Sequence, residues 1–168
     1  MKKLMLLLAA LAVSLTGYVQ TAESYFKQGE KKYEAGNFHD AITLYTRAIQ
    51  TDPGKINYYI RRGFCKGLDN DYKGAIEDYS KVIQMDPKHR WAYVSRGSAK
   101  NRLGDYKSAM EDFNKALELD PSDQEAYNNR GFSKKMLGDK EGACEDWQKS
   151  KKLGNEEAKI ILKNNYCK

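Results

Sequence analysis

The stretch that decides the fold is residues 90–123, RWAYVSRGSAKNRLGDYKSAMEDFNKALELDPSD. Its first part sets Tyr93, Val94, Gly97, Ala99 and Leu103 at helical spacing. Gly104 supplies the left-handed residue that ends a helix, and Asp105 is placed to cap the next one. Tyr106, Ala109, Met110, Phe113, Ala116 and Leu117 then form an apolar stripe of period near 3.6. Asp120-Pro121 closes it, because proline pushes the residue before it out of the helical region. The stretch predicts helix, tight turn, helix, tight turn.

The same pattern recurs at a fixed step of 34 residues, carried by Gly29, Gly63, Gly97 and Gly131. Tyr25, Tyr59, Tyr93 and Tyr127 form a second column, Lys32, Lys66, Lys100 and Lys134 a third, and Ala41, Ala75, Ala109 and Ala143 a fourth. A large aromatic column follows with Tyr45, Tyr79, Phe113 and Trp147, and Pro53, Pro87 and Pro121 close three units. A period of this length marks a solenoid, in which each unit buries its apolar face against its neighbours. Glycine opposite alanine lets the two helices of a unit approach closely, while the aromatic column fills the wider end.

The spacing and these columns resemble the tetratricopeptide repeat family across residues 22–157, in units 22–55, 56–89, 90–123 and 124–157. The resemblance implies an all-α, right-handed superhelical solenoid of four helix-turn-helix repeats. It further implies that the first helix of each pair lines a concave groove taking an extended peptide or a partner helix. Some family members grip a terminal carboxylate with paired lysines and asparagines on those helices. Here Phe26, Glu30, Ile60 and Phe64 stand where the first polar grips would lie, so an apolar groove with basic residues at one end is expected instead.

Departures among the units are informative. Units two to four carry Arg62, Arg96 and Arg130 before the glycine and Asp78, Asp112 and Asp146 sixteen residues later, whereas unit one has Gln28 and Leu44. Columns that switch together predict a contact, and the arginine fork suits a bidentate carboxylate. Unit two has Asn70 at the turn where the others have glycine, and Gly67 inside the last turn of its first helix. Gly67 is expected to soften that helix end and to open a small pocket in the groove wall. After unit four, residues 156–168 read as a capping helix with Ala158, Ile161, Leu162 and Tyr166 on its apolar face; Ile160 falls off that stripe.

The first 21 residues differ from the rest: Lys2 and Lys3, an apolar run from Leu4 to Leu15 broken by Ser14, then small and polar residues. This is the order of a secretory signal peptide, with cleavage between 17 and 22, after Gly17 or after Thr21. The run is shorter than the roughly 20 residues of a spanning helix, which disfavours an uncleaved anchor. The expectation is an exported protein, periplasmic or secreted, that meets a membrane only through this segment before cleavage.

The formal charge is +6, and removing residues 1–21 takes away two lysines and no acid. The remaining bases are interleaved with acids through all units, the pattern of a solvated helical surface and not of a nucleic-acid footprint. Three cysteines remain, none at zinc or redox-dithiol spacing. Cys144 stands nine residues before the turn at 153–155 and Cys167 twelve beyond it, so an antiparallel return brings both to similar heights. A Cys144–Cys167 disulfide and a buried free Cys65 are predicted, as suits an oxidising compartment.

Two histidines, His39 and His89, fall at turns, and no metal-ligand cluster, phosphate loop or nucleophile elbow is present in the sequence. The carboxylate pairs Glu77-Asp78, Glu111-Asp112 and Glu145-Asp146 recur once per unit and point to different helix faces. The chain is read as non-catalytic, without cofactor, metal or small-molecule substrate. Its function is read as an interaction scaffold for a protein or peptide, with a self-associating envelope component as the alternative. The expected groove residues are Phe26, Tyr33, Ile60, Phe64, Trp91, Val94, Arg102, Asn128, Phe132 and Lys135, with Phe64, Trp91 and Phe132 along one line.

Overall fold

A computed structural model describes residues 20–164 and Cys167. The expected signal peptide and the place of Tyr166 on the cap lie outside the described residues. Among the described residues the structure is all helix, in the order α1 (Ala22–Glu34), α2 (Phe38–Thr51), α3 (Ile56–Leu68), α4 (Tyr72–Met85), α5 (Arg90–Arg102), α6 (Tyr106–Leu119), α7 (Gln124–Met136), α8 (Lys140–Lys152) and α9 (Glu156–Lys163). Packing runs mainly between successive helices, and α5 also touches α7. The chain is a right-handed superhelical solenoid of paired antiparallel helices.

Local chemistry sets each boundary. Gly36, Gly104 and Gly138 take positive φ at the turn inside units one, three and four, and Asn70 does so in unit two with φ 63°. The N–H of the following residue then reaches back to satisfy a carbonyl of the finished helix, as Asp105 does to Lys100 at 3.0 Å. Asp71, Asp105 and Asp139 cap α4, α6 and α8 by accepting from Gly74, Ser108 and Gly142. Asn37 occupies the same place before α2 but makes no side-chain capping bond. Asp52, Asp86 and Asp120 are extended, as residues before proline must be. His89 is not a passive turn residue: its Nδ1 accepts from the Ala92 N–H and caps α5.

The columns form the core. Ala41, Ala75, Ala109 and Ala143 are fully buried, and Tyr45, Tyr79, Phe113 and Trp147 fill the space behind them. Gly97 shows why that column is glycine: a Cβ there would stand 2.7 Å from a Phe113 ring carbon. At the C-terminal end α9 lays Ala158, Ile161 and Leu162 against Ala143 and Trp147. Cys144 and Cys167 are joined in a disulfide with a Cα–Cα distance of 5.7 Å, and Cys65 is a buried free thiol. Ile160 is 58% exposed on the outer side of the cap.

The arginine columns pair as their switching predicts. Arg62, Arg96 and Arg130 each hold Asp78, Asp112 and Asp146 through Nε and Nη2 at 2.6–3.0 Å. Two further links complete each cluster. Lys66, Lys100 and Lys134 bring a second cation within 2.8–3.0 Å of the same aspartates. The remaining Nη1 donates to the preceding unit, at Thr46, Ser80 and Asn114. In unit one, where the aspartate is Leu44, Lys32 pairs with Asp40 on the surface instead.

Candidate functional site

The first helices share one face, and the residues expected on it divide into three groups. Val94 and Asn128 are corrections, because both are buried and closed to a partner. Val94 packs with Phe113, Leu117 and Ala126 in the core of units three and four. Asn128 lies beneath α9, where its Nδ2 donates to Glu157 at 2.8 Å and its backbone carbonyl accepts from the Trp147 indole at 3.2 Å. Phe26 and Ile60 belong to the same column and pack against the core of units one and two. That column is the seam between units, and its occupants vary because each neighbour leaves a different space.

A second group is half-buried around an ion pair at the N-terminal end. Tyr33 contacts Phe38 and Phe64 with ring centroids 5.9 and 6.0 Å away, and Arg61 lies over its face. Arg61 grips Glu30 through Nε and Nη2, one edge of its guanidinium, and the Tyr45 hydroxyl donates to the same carboxylate. Burial raises the Glu30 pKa, but the bonds from Arg61 and Tyr45 outweigh it and hold the carboxyl below its ordinary value. Burial pushes the adjacent Tyr45 phenol up, and the Cys65 thiol up to about 11, so neither offers a ready nucleophile.

The third group forms a pocket of about 260 Å³ between units two and three. Its lining is aromatic and aliphatic at Phe64, Leu68, Tyr79 and Trp91, small at Ala75 and Ala99, and polar at Tyr72, Ser95, Ser98, Arg102 and Glu125. Trp91 meets Tyr79 edge-on with centroids 5.6 Å apart. Gly67 belongs to the lining, and a Cβ built on it would meet nothing within 4 Å. The missing side chain leaves the opening, as the sequence led one to expect. Tyr72, Ser95 and Glu125 line it although sequence reasoning placed none of them in the groove. Tyr72 begins a second helix, outside the face expected to carry function.

Arg102 is positioned at the rim by Tyr72. Its guanidinium lies over the Tyr72 ring at 5.2 Å, and Nε and Nη2 donate to the Tyr72 hydroxyl at 3.1 and 2.8 Å. That hydroxyl in turn donates to Asn70 at 2.6 Å. Arg61, Arg62, Arg90, Arg96 and Arg130 each have a carboxylate partner. Arg102 forms no ion pair among the described residues. Phe132 is not part of this pocket: it is 41% exposed and packs on Tyr106 at 6.2 Å in the next groove segment. Lys135 is exposed near the end of α7. Among the described residues no cluster of His, Cys, Asp and Glu is arranged to hold a metal ion, and no helix is long and apolar enough to cross a membrane. What the pocket offers is aromatic surface, two serine hydroxyls and one oriented cation.

Three family models match the chain: one described as tetratricopeptide repeat over residues 18–54, a second of that description over 56–89, and one described as TPR repeat over 97–138. No curated protein matches it. Among solved structures, the fold is similar to MamA 41-end from Desulfovibrio magneticus RS-1, with TM-score 0.75, 23% identity, and 79% and 75% of the two chains covered. It is similar to the Arabidopsis OM64 TPR domain, with TM-score 0.64, 29% identity and coverage of 68% and 94%. It is also similar to the first TPR of Spaghetti (RPAP3) bound to the HSP90 peptide SRMEEVD, with TM-score 0.67, 24% identity and coverage of 74% and 98%.

Proposed function

The chain is a tetratricopeptide-repeat protein and a protein-interaction module, and from that premise we propose that it binds a segment of a partner protein in its concave groove without catalysing a reaction. The observation that carries this reading is the pocket between α3 and α5, an aromatic-walled opening on the groove face with an unpaired arginine at its rim. Aromatic and arginine side chains are the usual anchors of an interface, and a few of them dominate its energy. The solved relative that holds a peptide supports a groove of this kind as a peptide seat. We further propose export to an oxidising compartment; the signal-like order of residues 1–21 and the Cys144–Cys167 bridge support it.

The alternative, self-association through the outer face of α1, has less support. That face carries Thr21, Glu23, Ser24, Lys27, Gln28 and Lys31, with Glu23 and Lys27 paired to each other, so it is polar and solvated. Sedimentation that stays monomeric across concentration is the expected result.

The test of groove binding places a photo-crosslinking residue at Ser98, inside the groove, or at Lys115, on α6, in the producing cell. The partner segment trapped from Ser98 and not from Lys115 is then synthesised and titrated against the purified protein. Trp91→Ala weakens that binding by about 2 kcal/mol while helix content is kept. Equal trapping from both positions rejects the groove. So does a Trp91→Ala variant that unfolds while its folded fraction binds normally, since Trp91 is then core.

A further inference from the structure

We propose that the pocket between α3 and α5 is an anchor site for one bulky apolar side chain of a partner peptide, and that a carboxylate of the same peptide sits on Arg102. The inference rests on the groove reading above and names what the groove selects.

Pocket size comes first. Small-molecule sites run from about 300 to 1,000 Å³, and this opening of about 260 Å³ falls below that range, at the scale of one large side chain. Its origin is a single position. The column that holds Gly67 carries Tyr33, Asn101 and Lys135 in the other units, and only unit two leaves the place empty. Phe64, Tyr79 and Trp91 line the same opening as Gly67. A flexible aliphatic or an aromatic ring enters with little polar desolvation, since Phe64, Leu68, Tyr79 and Trp91 make most of the lining apolar.

Charge fixes the rest of the occupant. Arg102 is already oriented by Tyr72, so the side-chain entropy of placing its fork is largely spent before a ligand arrives. Arg61, on the same face one unit earlier, is closed by Glu30, which leaves Arg102 as the cation open to a carboxylate at this pocket. Glu125 lines the opposite end of the mouth, in the first turn of α7, level with Trp91. Trp91 and Arg102 are eleven residues apart on α5, roughly 16 Å along its axis. The mouth is therefore acidic at one end and basic at the other. A peptide with its acid on one flank of the anchor fits, and one with acids on both flanks meets Glu125.

The experiment uses an array of short blocked peptides. Their central residue is Ala, Leu, Met, Phe or Trp, and the flanks carry Asp, Ser or Lys. They are read against full-length protein and titrated by fluorescence of Trp91, whose emission shifts on occupancy while Trp147 stays buried. Retention should require a bulky centre and one acidic flank, and peptides acidic on both sides should bind more weakly. Gly67→Leu fills the opening and should lower affinity by about tenfold or more. Its melting temperature should be equal or higher, because a helical glycine is replaced at a place where an added Cβ meets nothing within 4 Å. Arg102→Glu should move the preference from Asp-flanked to Lys-flanked peptides, an exchange that mere damage to the fold does not produce. The inference is overturned if no array peptide is retained, if an Ala centre binds as well as Trp, or if Gly67→Leu binds like the wild type. The groove reading then stands or falls separately on trapping from Ser98.

Discussion

At the scale of single residues, Asp112 shows how the repeats are held. It is 3% exposed and shared by Arg96 and Lys100, so its removal strands two cations against the core. Asp112→Ala should cost about 3 kcal/mol, toward the lower end for a broken buried pair because both cations can reach water. A double-mutant cycle with Arg96→Ala, followed by urea unfolding, should give a coupling above the 0–1 kcal/mol of an exposed pair. The pairing was legible because two columns switch together in unit one. The lysine column was visible too, but a lysine at every period also fits a solvated surface, and nothing in its spacing chose between the two. The links to Thr46, Ser80 and Asn114 were hidden because three different residues fill that column and share only the capacity to hydrogen-bond. Glu30 gives a pH dependence with a definite sign. Its folded pKa lies below the ordinary 4.5, so its contribution is present above that value and is lost as pH falls through the lower, folded one. Glu30→Gln should narrow the wild-type stability loss on acidification below about pH 4.5, read as the difference between their urea midpoints. A constant difference from pH 7 to pH 3 would remove Glu30 from the account.

At the scale of elements, helices and turns were almost entirely readable, because glycine, asparagine, aspartate and proline mark each boundary by local conformational physics. The seam between units was not. The column of Phe26, Ile60, Val94 and Asn128 looks as variable as a binding surface, yet its orientation is set by how far each unit turns relative to the next. Repeat spacing gives the columns and leaves that rotation open. Tyr72 escaped for a related reason: it enters the groove from the start of a second helix, across the turn that Asn70 makes. The cap is the element most dependent on a covalent bond. α9 has eight residues, and Ala158 is its one fully buried contact. The bridge closes a loop with a sequence separation of 23 and should contribute about 3 kcal/mol by restricting the unfolded chain. Cys167→Ser should lower stability by that order. Alkylation of the unfolded, unreduced wild type should label Cys65 alone, and labelling of all three cysteines would show that the bridge does not form.

At the scale of the whole molecule, contacts between successive helices make stability nearly one-dimensional: each unit leans on its neighbours and on little else. The two ends are unlike. Unit one has no Arg–Asp cluster, while unit four has one and is bound to the cap by the disulfide. Amide exchange on the full chain should therefore be fastest in α1 and α2 and slowest in α7 and α8, with reduction of the bridge erasing much of the difference. Uniform protection from end to end would contradict this ordering. The spare nitrogen that each arginine sends to the preceding unit has another consequence. Every internal unit carries a donor for the one before it and an acceptor for the one after. A duplicated copy of residues 90–123 inserted after Asp123 would meet a matching partner at both new junctions. At the arginine column the array is thus extensible by whole units, so a longer receptor could arise by copying, with only the seam of Phe26, Ile60, Val94 and Asn128 left to refit.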